Sequence, residues 1–343
     1  MTKTIHFTPP TVSKETAQAL MNEFGKRREA FFFMLDFELQ KPIVLSAQQM
    51  RQYPICWEIN GLRSSSSFPF LKNEQTINPS RETINLAKFP ISPVIYRPAF
   101  QLVQSEINRG NSYLLNLTFP TPITLNLSLA EIYKRSQAKY KLLVHPNLVL
   151  FSPETFVQIK DGQIASFPMK GTIDANIPNA AEIILADKKE KAEHCTIVDL
   201  IRNDLNLVAS KVRVDQFRYI DHLKTAQKSL LQVSSKISGT LPSNYQDTIG
   251  DILMRLLPAG SVSGAPKKKT VEIIRSAEGQ DRGYYTGIFG FFDGNNLDSG
   301  VMIRYIEKIG DQLVYRSGGG ITTNSVCESE YQELLDKVYV PIY

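Results

Sequence analysis

The chain is expected to form an α+β domain of antiparallel sheets covered by helices. Three observations predict it. Apolar strand-like runs recur and are joined by hairpin signals, single amphipathic helices interrupt them, and neither a repeat nor a linker divides the 343 residues. That length allows one large domain or two ordinary ones, and 42% hydrophobic residues supply ample material for a core.

The first hundred residues carry the weakest pattern, an apolar strand-like run at Ala30–Leu35 and a serine-rich loop at Ser64–Ser67. From Pro98 a short amphipathic helix runs through Val103 and Ile107 to Gly110, and Ser112–Phe119 reads as a strand. Ser128-Leu129-Ala130-Glu131 has capping-box spacing and starts another helix. Tyr140–Phe151, Glu154–Lys160 and Gln163–Phe167 read as strands, the last two joined by Asp161-Gly162, a strong hairpin signal. A turn at Lys170 ends this meander. Helical spacing of Ile197, Val198, Ile201, Leu205 and Val208 marks Asp187–Ala209, and strands follow at Val212–Tyr219 and Leu230–Ile237. A helix at Thr248–Leu257, a glycine-bearing loop and a helix from Lys267 come next. Strands are expected at Gly283–Phe292, Leu297–Lys308 and Gln312–Arg316, and a last helix at Val326–Val340.

Charge and cysteine usage exclude several classes. The net charge of +5, from 39 basic and 34 acidic residues, is spread along the chain with no basic stripe interleaved with aromatics, which argues against nucleic acid and allows anionic substrates. Cys56, Cys195 and Cys327 are odd in number and lack metal-ligand spacing, as in a reducing compartment. Met1–His6 lacks a signal-peptide run and no stretch is long enough to cross a bilayer, so a cytoplasmic location is expected.

Four features point to chemistry. Lys170 lies between an apolar approach, Phe167-Pro168-Met169, and Gly171-Thr172; a lysine desolvated there can lose its proton and act as a nucleophile. Glu190/Glu193 and Glu330/Glu333 are two Glu-x-x-Glu pairs, each on one helix face; facing each other they would make a hard oxygen site suited to Mg²⁺. The loop Pro258–Lys267, with Pro266 at the expected first helical position, and the run Gly318-Gly319-Gly320 let backbone amides approach an anion. Arg304 and Lys337 add fixed positive charge. Each feature alone reads as surface or as a tight connection. Together they describe a site for a small polyanionic acid bound through a metal.

On these residues the chain resembles the chorismate-utilising enzymes, which include anthranilate, aminodeoxychorismate, isochorismate and salicylate synthases. The matching stretches are Ser152-Pro153-Glu154, the Lys170 turn, Glu193-His194 leading into Val198–Asp204, Gly260–Lys267, Gly318–Ile321 and Glu330-Tyr331-Gln332-Glu333. The resemblance implies two large antiparallel β-sheets packed together and covered by helices, as in anthranilate synthase component I. It implies one chorismate-binding domain over residues 1–343, with 1–97 a divergent part of the sandwich and 98–343 carrying the motifs. Lysine at the Lys170 position resembles the aminodeoxychorismate synthase component I branch, which serves folate and para-aminobenzoate biosynthesis; anthranilate and isochorismate synthases carry alanine there.

The resemblance further implies that Glu193 and Glu330 hold Mg²⁺, with Glu190 and Glu333 behind them. Gly171, Thr172, Gly264, Tyr285, Arg304, Gly318, Gly319, Gly320 and Lys337 would bind the substrate. Lys170 would attack C2 of the ring as the C4 hydroxyl leaves, Glu154 would protonate that hydroxyl, and ammonia would add at C4 while expelling the lysine. No cysteine lies in a glycine-flanked nucleophile elbow, so a separate glutaminase subunit is the implied source of ammonia.

Three departures stand out. Leu114 replaces the family's usual glutamine near C2 and cannot act as the base that isochorismate synthases use. Gln232 stands where a histidine is expected near the C4 hydroxyl, which moves acid work to Glu154. No Leu-Leu-Glu-Ser segment of the tryptophan-binding kind is found. The alternatives are an anthranilate synthase component I and a non-catalytic chorismate-binding subunit.

Overall fold

The computed structural model describes residues 8–64, 68, 84–224 and 229–342. Among them, two antiparallel sheets of nine strands each pack against one another. The first runs in spatial order Met169–Asp174, Ser229–Thr240, Gln163–Ser166, Thr155–Lys160, Leu297–Val301, Ile288–Phe292, Phe31–Leu35, Ile43–Ser46, with Ser210–Lys224 paired onto Ser229–Thr240. The second runs Gly264–Ala265, Leu114–Leu125, Gln312–Ile321, Tyr305–Ile309, Leu148–Ser152, Tyr140–Val144, Ile55–Ile59, Leu62–Arg63, with Leu86–Lys88 paired onto Leu114–Leu125. Residues before 98 thus supply strands to both sheets. Ser65–Ser67 of the serine-rich run and Met1–His6 lie outside the described residues.

The sandwich follows from strands that are apolar on both faces. Phe31, Phe33 and Leu35 face the helices Lys14–Lys26 and Ile249–Leu256, while Phe32 and Met34 join Trp57, Leu142, Leu150 and Tyr305 between the sheets. All five residues of this strand are at most 1% exposed, each burial contributing about 2 kcal/mol. The helix Lys188–Asn206 covers the first sheet through Ile197, Val198, Ile201 and Leu205. The second sheet is covered by Leu129–Arg135, whose Ser128–Glu131 capping box forms as expected, and by Pro93–Asn108, Lys267–Glu278 and Cys327–Asp336.

Several expected elements are cut differently, for identifiable reasons. Tyr140–Phe151 is two strands joined by a tight turn after Val144. Leu297–Lys308 is also two strands, and they belong to different sheets. The chain crosses between sheets at Met302–Arg304, where Arg304 takes φ +53°. It crosses again at Ser152-Pro153-Glu154, between Leu148–Ser152 and Thr155–Lys160. The helix Ala180–Ala186 has no counterpart in the sequence reading, and the glycine-bearing loop holds a helical turn, Gly260–Ser263.

Candidate active site

The two sheet crossings lie side by side, since Val301 N–H donates to Glu154 O at 3.0 Å and Phe151 N–H to Arg304 O at 3.1 Å. Backbone leaving a ladder no longer projects its side chains along the pleat, so Glu154 and Arg304 turn into the gap at one end of the sandwich. The gap is a cavity of about 160 Å³, also lined by Lys170, Gly264, Tyr285, Gly318, Gly320, Glu333 and Lys337. That is room for on the order of ten waters, which suits a compact metabolite rather than a polymer.

Lys170 reaches the cavity from a strand, not a turn: Met169–Asp174 pairs with Ser229–Thr240. Met169 stands opposite Ser234 and Thr172 opposite Gln232, so Lys170 and Gly171 face one partner residue across a bulge, and Gly171 adopts φ +87°. The bulge re-aims the lysine. Its ammonium lies 2.7 Å from Glu193 Oε2. Burial alone would push its pKa down, but Glu193, Glu190 and Glu333 outweigh burial and hold it above the ordinary lysine value. The expectation of a neutral lysine is therefore corrected, because three of the four glutamates, Glu193 in contact and Glu190 and Glu333 through their charge, hold the amine protonated.

Glu154 is half-buried, and Ser261 Oγ donates to its Oε1. Burial raises its pKa above the usual carboxylate range, against smaller opposing effects of Ser261 and Lys337. Burial also pushes the Tyr285 hydroxyl up to about 12, so it stays a proton donor. Lys337 donates to Gly318 O at 2.7 Å and pairs with Glu333 at 2.6 Å, and burial lowers its pKa despite that carboxylate. Arg304 is fixed by a 2.8 Å bond to Lys337 O and by the Tyr339 ring, 4.8 Å away.

The three glycines lie within the strand Gln312–Ile321, not after it, and pair with Leu114–Leu125. Because Gly318 O turns away from that partner to accept from Lys337, the alternation of an antiparallel strand puts the N–H groups of Gly318 and Gly320 on the same open edge, toward the cavity. A Cβ at Gly319 would lie 3.3 Å from Glu330 Oε2 and 3.5 Å from Glu333 Oε1, so this residue forms the floor beneath both carboxylates. A Cβ at Gly171 would lie 3.1 Å from Glu190 Oε2. Thr172 is exposed and Gln232, its cross-strand partner, does not line the cavity. In the small-residue loop, Ser261 to Gly264 line the cavity, but Pro266 is the N-cap of the following helix and Lys267 is bound to Asp204 at 2.9 Å and to Leu256 O at 2.6 Å. The helix N-terminus expected to hold an anion is thus outside the site.

The residues fit a magnesium ion. Among the described residues no group of three acidic, histidine or cysteine side chains could hold a metal by itself. Mg²⁺ commonly takes only one or two carboxylates, with water and substrate oxygens completing its shell. The convergence of Glu330 and Glu333 over the side-chain-free Gly319 provides such a pair.

Sequence reasoning missed Asn116, Tyr315 and Arg316 in the cavity wall and read Ser261 and Ser263 only as part of the small-residue loop. It also missed the part of His194, whose Nε2 lies 2.7 Å from Ser235 Oγ while Ser235 N–H donates to Pro168 O at 3.0 Å, bracing the segment before Lys170. Burial and the Arg218 charge hold His194 neutral, with its pKa lowered to about 4. Only the alternation of Leu114 and Asn116 on one strand could have signalled any of these.

The profile of the family described as chorismate binding enzyme matches residues 7–342. The chain belongs to the chorismate-binding enzymes. Within the family it is 50% identical over 321 residues to the "Uncharacterized PabA-like protein" of Haemophilus influenzae, covering 94% of this chain and 95% of that protein. It is 32% identical over 258 residues to aminodeoxychorismate synthase component 1 of Salmonella typhimurium, covering 71% of this chain and 56% of that one. It is also 32% identical over 246 residues to anthranilate synthase component 1 of Archaeoglobus fulgidus, covering 68% and 58%. The chain thus spans little more than half the length of these two named synthases. Two chorismate-binding folds superpose on it: the menaquinone-specific isochorismate synthase of Escherichia coli, at a TM-score of 0.69, 17% identity and 95% and 81% coverage, and anthranilate synthase component I of Streptococcus pneumoniae, at 0.62, 24% and 75% and 59%.

Proposed function

We propose that this chorismate-utilising enzyme is the synthase component of an aminodeoxychorismate synthase, forming 4-amino-4-deoxychorismate from chorismate and ammonia supplied by a glutaminase subunit. The observation that carries the reading is Lys170, bulged out of its strand into the same cavity as Glu154. A lysine there offers a nucleophile that alanine-bearing relatives lack. Arg304, Lys337 and the N–H groups of Gly318 and Gly320 supply positive charge and donors for carboxylates.

In this reading the protonated Glu154 gives its proton to the departing C4 hydroxyl, which leaves as water, while the neutral Lys170 amine forms a bond to C2. Loss of the Lys170 proton must precede this attack, because the surrounding glutamates hold the amine above its ordinary pKa in the free protein. Tyr285 brings a hydroxyl donor to the cavity, while the Ser261 hydroxyl is used on Glu154 and fixes its carboxyl group. Glu193 and Glu330, with Glu190 and Glu333 behind them, would hold Mg²⁺. When bound, that ion would neutralise a substrate carboxylate and draw electron density from the ring.

The test is to incubate the protein with chorismate, Mg²⁺ and ammonium at mildly alkaline pH and to identify the product by chromatography with mass detection. Aminodeoxychorismate without pyruvate is expected. Anthranilate with pyruvate would move the chain to the anthranilate branch, and chorismate bound but unconverted even with a glutaminase partner would leave a binding protein.

A further inference from the structure

Arg304 stands where the candidate cavity meets the outside. With Glu333 and Lys337 it lines both that cavity and an open groove along the helix Cys327–Asp336. It sits at a sheet crossing with φ +53°, so no ladder on either side directs its side chain. An arginine left free at such a mouth loses rotamer freedom when a ligand binds, and that loss weakens binding.

Two other arginines that act on Tyr285 are fixed by carboxylates. Arg282, 1% exposed, is held by Glu278 at 2.6 Å and donates to Asn116 O, and Arg316 is held by Glu307. Arg304 has no ion pair among the described residues. Its Nη1 donates to Lys337 O at 2.8 Å, while its other nitrogens meet no acceptor among the described residues and are not closed off from solvent. A half-buried guanidinium held without a carboxylate keeps its donors for an incoming one.

What holds it instead is an aromatic face. The Tyr339 ring centroid lies 4.8 Å from Arg304 Cζ. The chain brings the ring there by ending a helix early: the last helix, expected to reach Val340, stops at Asp336 with Lys337 as its C-cap. Beyond it Val338, Val340 and Ile342 pack into the apolar cluster of the second sheet, so Tyr339 between them faces the other way. The tail is tied down by Gln137 N–H, which donates to Pro341 O at 3.2 Å, and by the bridge between Ser136 and Ile342. Tyr339 is therefore held in place although its side chain serves no core, and it remains 44% exposed.

We propose that Tyr339 is a positioning residue for substrate binding: its ring and Lys337 O together fix Arg304, so that the remaining N–H groups are presented to a substrate carboxylate. Tyr339 does not itself touch the substrate. The inference rests on the function proposed above only in taking the ligand to be chorismate. The contact uses the ring face, so phenylalanine serves in its place and an aliphatic side chain does not.

The test uses the full chain. Chorismate affinity is measured by calorimetry with Mg²⁺ and no ammonium, and KM and kcat with ammonium, for wild type, Tyr339→Leu, Tyr339→Phe, Arg304→Gln and the double variant Arg304→Gln with Tyr339→Leu. Tyr339→Leu is expected to weaken chorismate about fivefold, in affinity and in KM, with kcat within about twofold. Tyr339→Phe should restore binding to within about twofold of wild type. In the Arg304→Gln background Tyr339→Leu should cost nothing more, because two residues acting through one contact are not additive. Tyr339→Gln carries the expectation of Tyr339→Leu should the latter fail to fold. Unchanged affinity in the Leu and Gln variants, a Phe variant as weak as Leu, or a full additional loss in the Arg304→Gln background would each overturn the assignment. A wild type that binds chorismate but forms anthranilate would overturn the proposed product and leave the role of Tyr339 standing; one that binds no chorismate would overturn both.

Discussion

Gly264 offers the sharpest test of the site's architecture. It adopts φ +125° and ψ −166°, a region that is essentially closed to side-chained residues, and a Cβ there would lie 1.9 Å from Leu114 O and 2.8 Å from its carbonyl carbon. Both atoms are backbone of the strand that carries Asn116, so no rotamer change relieves the clash. Gly264→Ala must strain the backbone, at about 1–3 kcal/mol, and also lift Gly264–Ala265 off Leu114–Leu115, losing about two hydrogen bonds worth about 1 kcal/mol each. The expected destabilisation is about 3–5 kcal/mol, a large share of the ~5–15 kcal/mol that holds a typical protein folded. Equilibrium urea denaturation measures it. Gly279→Ala is the control, because Gly279 also has positive φ, +64°, but a Cβ there meets nothing within 4 Å. A Gly264→Ala variant costing no more than the Gly279→Ala control would refute the argument that close approach, and not the dihedral alone, requires glycine in this wall.

Three further outcomes are expected. Lys170→Ala should lower turnover by at least about a hundredfold while chorismate still binds, and intact-protein mass spectrometry of wild type during turnover should reveal an adduct that this variant lacks; a variant retaining a tenth of wild-type activity would exclude the nucleophile. Because burial raises the Glu154 pKa in the folded chain, its protonated form contributes stability that is complete below the ordinary carboxylate pKa and lost as pH rises through the raised value. Turnover, which needs the acid form, should fall over the same alkaline-going window, and in Glu154→Gln both the stability and the rate should lose that inflection. Gly319→Ala should leave the fold intact, since the added methyl meets only flexible carboxylate ends, yet raise the Mg²⁺ concentration needed for half-maximal rate severalfold; an unchanged Mg²⁺ titration would remove Glu330 and Glu333 from the metal site.

The fold class was legible because apolar strand-length runs, the Asp161-Gly162 hairpin and the Ser128–Glu131 box are local signals whose physics does not depend on tertiary context. The sheet crossings were not, since nothing within Leu297–Lys308 or Ser152–Thr155 distinguishes a strand that stays in its sheet from one that leaves it. That blindness matters for the site, because Arg304 and Glu154 owe their placement to those crossings. Lys170 was legible as a residue but not as a state: the number and closeness of the carboxylates around it are properties of two helices distant in sequence. Gly318–Gly320 were legible as amide donors, but their place inside a paired strand was hidden because a ladder partner is a long-range fact. Arg282 left no signal at all, since a buried guanidinium is indistinguishable in sequence from an exposed one.

The groups of the candidate site come from different parts of the backbone. Glu154 comes from a sheet crossing, Lys170 from a bulge, the anion-facing N–H groups from an open strand edge, and the acidic residues from two helices. The first three are places where the regular ladder is interrupted or ends, so each can aim a group at the cavity without breaking the sheets that carry the core. The interruptions are not loose. The Lys170 segment is braced by the His194–Ser235 contact, the Arg304 crossing by Lys337 O, and the Asn116 strand by the Arg282–Glu278 pair. The buried Arg282–Glu278 ion pair contributes little net stability but is costly to break from one side, which makes it suited to holding position. Damage to such braces should therefore appear first as misplacement of a single group, and only afterwards as loss of the fold.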